Sequence, residues 1–237
     1  MPIRSNPYQQ PVGTPMPDWR TCARPLRQVI QGRYCQLEPM DAGRHADDLY
    51  AAYALSPDER DWTYLPIGPF HSAAEYLAYA KQMETAVDRL HFAVINRKSG
   101  RAEGTLALDR MDPANGVIEI GFVVFSPLLK RTPAATEAHY LLMQYLFDGL
   151  GYRRLEWKCD SLNGPSRAAA QRLGFQFEGI FRQVVVYKGR NRDTAWFSIL
   201  DCEWPPRRAA FECWLAPDNF DAQGMQRRSL AQLCAAT

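Results

Sequence analysis

Apolar and polar positions along this chain repeat with short periods that change several times, and each change marks an element. After the strand-like run Arg33 to Leu37, Pro39-Met40-Asp41 opens a stretch in which Ala46, Leu49, Tyr50 and Tyr53 recur at helical spacing, predicting a helix capped by Asp41. Tyr76, Leu77, Ala80, Met83 and Ala86 repeat that spacing and predict an amphipathic helix over Ser72 to Leu90. The period then shortens. His91 to Ile95, Glu103 to Arg110 and Val117 to Phe125 are strand-like runs separated by turn formers at Asn96 to Gly100 and Asp112 to Gly116, which is an antiparallel meander. A helix from Pro133 to Leu150, a strand from Arg154 to Cys159, a polar turn from Asp160 to Pro165 and a helix from Ser166 to Leu173 follow. Glu178 to Tyr187 and Asp193 to Leu200, split by Lys188-Gly189-Arg190-Asn191-Arg192, predict a closing hairpin with a basic tip. A sheet built this way is mixed and mostly antiparallel, in an α/β (α+β) fold.

The ends read differently. Residues 1–25 hold Pro2, Pro7, Pro11, Pro15 and Pro17 without sustained periodicity and predict an extended arm, which Trp19 is expected to anchor in a pocket. Pro205 and Pro206 are expected to close a domain over 26–206. They leave an extension, 207–237, that serves as an irregular lid or a homodimer contact.

Composition narrows the function classes. The 237 residues are 46% apolar and 23% charged, as in a globular protein, and 28 Lys+Arg against 26 Asp+Glu give a net charge of +2. No global field recruits nucleic acid or membrane. The six cysteines (Cys22, Cys35, Cys159, Cys202, Cys213, Cys234) are spaced too far apart for a zinc knuckle or a redox pair. No window approaches the roughly 18 apolar residues of a membrane span, and MPIRSNPYQQPVG lacks a signal-peptide core, so a cytoplasmic protein with reduced thiols is expected.

One place invites an anion. The turn from Ser126 to Arg131 carries Lys130 and Arg131 directly before a helix, whose unpaired first-turn N–H groups bear partial positive charge. Thr132 followed by Pro133 is a good N-cap and first helical residue. The same residues also fit a capped helix with two solvated cations. Both readings stand on this stretch alone.

In order along the chain come Ile118-Glu119-Ile120-Gly121-Phe122, Thr136-Glu137-Ala138, Gly151-Tyr152-Arg153-Arg154, Asn163-Gly164-Pro165-Ser166, Arg172-Leu173-Gly174-Phe175 and Glu178-Gly179. Through these six marks, spread over Gly32 to Trp204, the chain resembles the GNAT superfamily of N-acetyltransferases, and within it the ribosomal-protein N-terminal acetyltransferases. The resemblance implies a mixed sheet with helices on both faces. It also implies acetyl-coenzyme A as co-substrate, entering where two central strands separate near Val123 and Trp157, and no metal. Phe122, Val123, Lys130, Arg131, Thr132, Ala134, Ala135, Thr136, Asn163, Ser166 and Arg172 are the implied coenzyme-binding positions. The family's phosphate turn has glycine where this chain has Pro133, which removes one amide donor that Lys130 and Arg131 could offset by charge.

Direct attack of an amine on a thioester needs a neutral amine, a stabilised oxyanion and a proton for the departing thiolate. The resemblance implies Glu119 as general base and places the Ser166 hydroxyl near the sulfur. Many members put a tyrosine four residues beyond the Ser166 position, where this chain has Ala170. Cys159, with no histidine near it in sequence, reads as a buried thiol and not as an acyl carrier. Trp62 and Tyr64, in the aromatic loop from Ser56 to Phe70, and Tyr187 and Trp196, beside the basic hairpin, are candidate acceptor contacts. The acceptor is a small-molecule or peptide amine. Two other readings remain open: a catalytically degenerate coenzyme-binding or protein-interaction member of the fold, favoured by Pro133 and Ala170, and RNA binding through the arginine-rich hairpin, which the balanced charge disfavours.

Overall fold

The three-strand meander forms the middle of the molecule, and everything else is added to its two edges and two faces. The computed structural model describes residues 4–235. In chain order the elements are β1 (Arg4–Ser5), β2 (Pro11–Val12), β3 (Ile30–Gln31), β4 (Cys35–Pro39), α1 (Ala42–Tyr53), α2 (Ala73–Thr85), β5 (Leu90–Asn96), β6 (Ala102–Asp112), β7 (Val117–Phe125), α3 (Pro133–Gln144), β8 (Arg154–Asp160), α4 (Gly164–Arg172), β9 (Gln176–Tyr187), β10 (Arg190–Leu200), α5 (Trp204–Leu215) and α6 (Leu230–Ala235). β1 and β2 form a small separate ribbon. The other eight strands make one sheet in the order β3-β4-β5-β6-β7-β8-β10-β9. Every pair is antiparallel except β7 with β8.

That parallel pair is short. Val117, Ile118 and Glu119 face Arg154, Leu155 and Glu156, and the pairing goes no further. On the other side of β7, Thr105 pairs with Val124 but Ala107 pairs with Gly121, so Phe122 and Val123 together oppose a single residue of β6. Phe122 takes φ 50°, as the extra residue of such a bulge can. A bulge bends its strand, and β7 leaves β8 at this point. The result is a fork in the middle of the sheet.

Alternation assigns the faces. Ile118, Ile120, Leu155, Trp157 and Phe197 point into the larger core, with Leu142, Leu146, Phe211, Trp214 and Leu230 from the helical side. On the other face, Leu49, Tyr53, Tyr76, Met83 and Ala93 form a second core under α1 and α2. Helices therefore cover both faces, as expected. Asp41 caps α1 by accepting from the Arg44 N–H at 3.0 Å. Among the described residues no helix is long and apolar enough to cross a membrane.

Three expectations change. The helix expected over Ser72 to Leu90 stops at Thr85; Ala86 is extended and Leu90 already belongs to β5, where its side chain is buried. The helix expected to reach Leu150 keeps α geometry to Gln144 and finishes as a π turn over Tyr145–Gly149. Pro205 and Pro206 do not end the ordered core but begin α5, because the first turn of a helix leaves its N–H groups unpaired and proline has none to lose. With Phe211 fully buried and Trp214, Leu230 and Leu233 nearly so, the segment after 206 is part of the larger core and not an irregular lid.

The arm is draped and anchored. Trp19 Nε1 donates to the Ala114 carbonyl at 2.8 Å, and its ring lies over Gly116, where a Cβ would come within 2.5 Å of the indole. A second tie comes from α3. The buried Glu137 carboxylate accepts from the Arg33, Tyr34 and Cys35 amides at 2.8, 2.6 and 2.8 Å, pinning the β3–β4 turn to the helix. Gly32 allows that approach, since a Cβ there would lie 2.6 Å from the carboxylate.

Candidate active site

The turn after β7 delivers the chain directly to the start of α3. Thr132 is extended, and its Oγ1 accepts from the Ala135 N–H at 3.2 Å, so the threonine caps the helix and Pro133 starts it. Ala134 N–H, in the first turn, makes no hydrogen bond among the described residues. Arg131 stands at φ 62°. Lys130 already holds an anion: its Nζ lies 2.5 Å from Asp61 Oδ2 on the loop between α1 and α2. An anionic ligand here would have to compete with Asp61 for Lys130; Lys130, Arg131 and the unpaired Ala134 N–H are the groups that would meet coenzyme A phosphates. Thr136 and Arg172 are tied together, both guanidinium Nη atoms donating to Thr136 Oγ1 at 3.1 Å, while the Arg172 guanidinium lies over Trp214. Arg172 thus clamps α4 to α3 behind the turn.

Glu119 lies at the other end of the fork, at the last paired position before the strands part. It is buried, with Lys158 Nζ 3.0 Å and Arg110 Nε 3.4 Å from its Oε2. Burial pushes its carboxyl above the ordinary range, and Lys158 opposes that rise while Asp109, directly opposite on β6, adds to it. A carboxylate held this way is a better base near neutral pH than a solvated glutamate. Phe122, at the bulge, is flanked by the Arg89 guanidinium, 3.9 Å from its ring centre, and by His91. Burial, with Arg89 adding to it, lowers His91 to about 4, so it is neutral at physiological pH.

Across the fork, Asn163 caps α4 by accepting from the Ser166 N–H at 3.1 Å. Ser166 Oγ accepts from Trp157 Nε1 at 3.0 Å, and its hydroxyl also hydrogen-bonds the Cys159 thiol. Trp157 in turn lies 5.5 Å from the His139 ring, itself neutral because burial lowers it to about 4. Ala170 is fully buried in the larger core and supplies no proton. Cys159 is buried, and burial raises its thiol, which keeps it protonated and unreactive.

Residues 36–176 match the family model for the acetyltransferase (GNAT) domain, more than half of the chain. The chain belongs to the GNAT acetyltransferase family. It is similar to a GCN5-related N-acetyltransferase from Brucella melitensis, with 50% identity and a TM-score of 0.91 over 93% of this chain and all of that one. It is 29% identical over 160 residues to the uncharacterized N-acetyltransferase p20 of Bacillus licheniformis, covering 66% of this chain and 88% of that protein. YdaF of Bacillus subtilis (strain 168), a ribosomal N-acetyltransferase-like protein, is 30% identical over 101 residues, 43% of this chain and 55% of its own.

The aromatic positions of this acetyltransferase sort differently from expectation. Trp62 is not a pocket wall: it is buried in the second core, edge-on to Tyr53 and Phe70, because a short helical turn over Glu59–Trp62 rolls it inward. Tyr64 remains half-buried. Tyr187 is buried, and its hydroxyl donates to Asp160 Oδ2 at 2.7 Å. Trp196 is stacked on Phe181 and carries Lys158 Nζ 3.9 Å above its ring, which places it beside Glu119's cation. The basic tip folds inward, Lys188 Nζ donating to the Trp62 carbonyl at 2.9 Å and Arg190 Nη2 to that of Thr63 at 2.7 Å. Together with Lys130, the hairpin therefore straps the α1–α2 loop down from both sides. The sequence reading passed over Lys158 and Glu156. Their signal was present, since charge at Arg154, Glu156, Lys158 and Asp160 alternates with apolar residues along β8 and marks a polar face.

Proposed function

We propose that this GNAT protein transfers the acetyl group of acetyl-coenzyme A to a primary amine by direct attack, with Glu119 as general base. The observation that carries the reading is the position of Glu119: a buried carboxyl, raised above its ordinary range, at the point where β7 and β8 separate. The coenzyme, when bound, supplies the acetyl group as an activated thioester. The start of α3 (Thr132, Ala134, Ala135, Thr136) together with Lys130 and Arg131 holds the phosphates, with Arg172 fixing Thr136 from behind. Phe122 and Val123 line the fork on one side, and Asn163 and Ser166 on the other. Glu119 takes the proton from the incoming ammonium, the neutral amine adds to the thioester carbonyl, and as the C–S bond breaks the Ser166 hydroxyl relays to the leaving sulfur the proton that the nitrogen sheds. The acceptor is a small-molecule amine or a peptide N-terminus, approached past Trp196 and Tyr64, in the cytoplasm.

Calorimetry with coenzyme A and acetyl-coenzyme A, followed by a thiol-release screen against amines and N-terminal peptides, tests this. Binding with thiol release is expected. Binding without release from any acceptor would favour the second reading, a non-catalytic coenzyme-binding member, for which Pro133 and Ala170 are the observations.

The ion pair from Asp61 makes a separate prediction. Coenzyme phosphate has to compete with that carboxylate for Lys130. An ion pair exposed to this degree is worth about 0.2–1 kcal/mol. Asp61→Asn is therefore expected to tighten coenzyme A binding by up to about fivefold, measured by calorimetry at low salt; a weaker Kd would show that Asp61 helps to form the site instead.

A further inference from the structure

Lys158 is buried with two carboxylates and an aromatic ring around it. Its Nζ lies 3.0 Å from Glu119 Oε2, 2.7 Å from Glu156 Oε2 and 3.9 Å from the centre of the Trp196 ring. The two glutamates face each other as the last pair of the parallel strands. Without a cation between them, two carboxylates brought together out of water would not both ionise. Their other partners are unequal. Glu156 also takes Arg154 Nε at 2.8 Å from a mostly buried guanidinium, whose two Nη atoms are held by Glu178 at 2.7 and 2.6 Å. The second cation of Glu119 is Arg110, whose side chain is 64% exposed and so is screened by solvent.

The remaining groups around Glu119 do not replace Lys158. Asp109, across on β6, is negative and opposes ionisation. Arg89 is engaged by Asp109 at 3.2 Å and by the Phe122 ring. His91 on β5 is neutral. Resting on the general-base reading of Glu119, we propose that Lys158 is a positioning residue for the transfer, its ammonium wedged between Glu119 and Glu156 and keeping Glu119 charged at the fork. Trp196 backs the ammonium from the far side. The indole, read from the sequence as an acceptor contact, thereby serves the base as well.

The direction follows from the charges. A base works ionised, and removing a neighbouring cation raises the pH at which a carboxyl loses its proton. In Lys158→Met, the carboxyl without a second buried cation, Glu119, takes up the proton. The first readout needs no turnover: a carbon-13 NMR titration of the Glu119 side chain, assigned by its loss in Glu119→Gln. Its midpoint is expected to rise by about one pH unit or more in Lys158→Met and to stay close to that of the parent in Lys158→Arg. Combining Lys158→Met with Glu156→Gln removes the repelling carboxylate and is expected to bring the midpoint part of the way back; this double variant, set against Glu156→Gln alone, also serves if Lys158→Met does not fold. An unmoved midpoint in a folded variant overturns the proposal.

The second readout is kcat/KM against pH in the thiol-release assay. The acid limb of Lys158→Met is expected to move up by the same amount as the midpoint, with the alkaline plateau kept. A merely structural loss would lower the rate at every pH, and that result also overturns the proposal. A midpoint that rises while the acid limb stays in place would instead overturn the general-base reading of Glu119, leaving the electrostatic hold of Lys158 intact.

Discussion

Glu119→Gln is expected to lower kcat/KM for acetyl transfer at neutral pH by about a hundredfold to ten-thousandfold, the usual worth of a positioned general base. The substitution keeps shape and one acceptor oxygen while removing the proton-accepting charge. Affinity for coenzyme A should be unchanged within about a factor of two, because the α3 start that would bind phosphate is built from other residues. The pH dependence is part of the prediction. Burial holds the Glu119 carboxyl above the ordinary range, so in the parent protein activity should fall on acidification at a higher pH than for a solvated glutamate, and in the variant that limb should vanish. A Glu119→Gln rate within a fewfold of the parent across the pH range would remove Glu119 from the chemistry.

Glu137→Ala is expected to cost about 3 kcal/mol or more of stability, since three backbone N–H groups donate to one buried carboxylate and each orphaned donor costs about 1–3 kcal/mol. For a protein of this size, that corresponds to a Tm lower by about 10 °C. Urea unfolding would read it as a lower midpoint at constant slope. The effect is large because Glu137 works between distant pieces of chain: it sits on α3 and holds the turn that leads into β4, closing the sheet edge against the helix that carries the anion turn. A cost under about 1 kcal/mol would mean that water replaces the carboxylate at no penalty.

Both predictions concern glutamates that the sequence displayed, yet only one was a candidate for a role there. Glu119 stood in a recognisable strand motif. Glu137 lay in the middle of a helix whose other positions are almost all buried, and nothing local said that its charge would be met by the amides of residues 33–35. The loop aromatics show the opposite error. Trp62 looked like an acceptor contact because so many aromatics share its loop, but the fold turned it into the second core against Tyr53 and Phe70. The basic hairpin tip looked like a place for RNA or for the acceptor, and two of its cations instead fasten the α1–α2 loop.

What the chain determined alone was whatever depends on neighbours in sequence: the span of β7, read as Val117 to Phe125; the Thr132 cap with Pro133 at the start of α3; the meander; the Asp41 cap; and the order of motifs that marked the family. Caps and alternation act over a few residues, so they are written in a few residues. Only the tertiary structure decided the bulge at Phe122, the pairing of Asp61 with Lys130 and the seat of Lys158 between two glutamates. The register that brings Glu119 opposite Glu156 belongs to a parallel pair, whose strands are joined by a helix crossing over one face of the sheet. That register is set by how α3 packs, and packing of this kind is a property of the whole core, which no local pattern encodes.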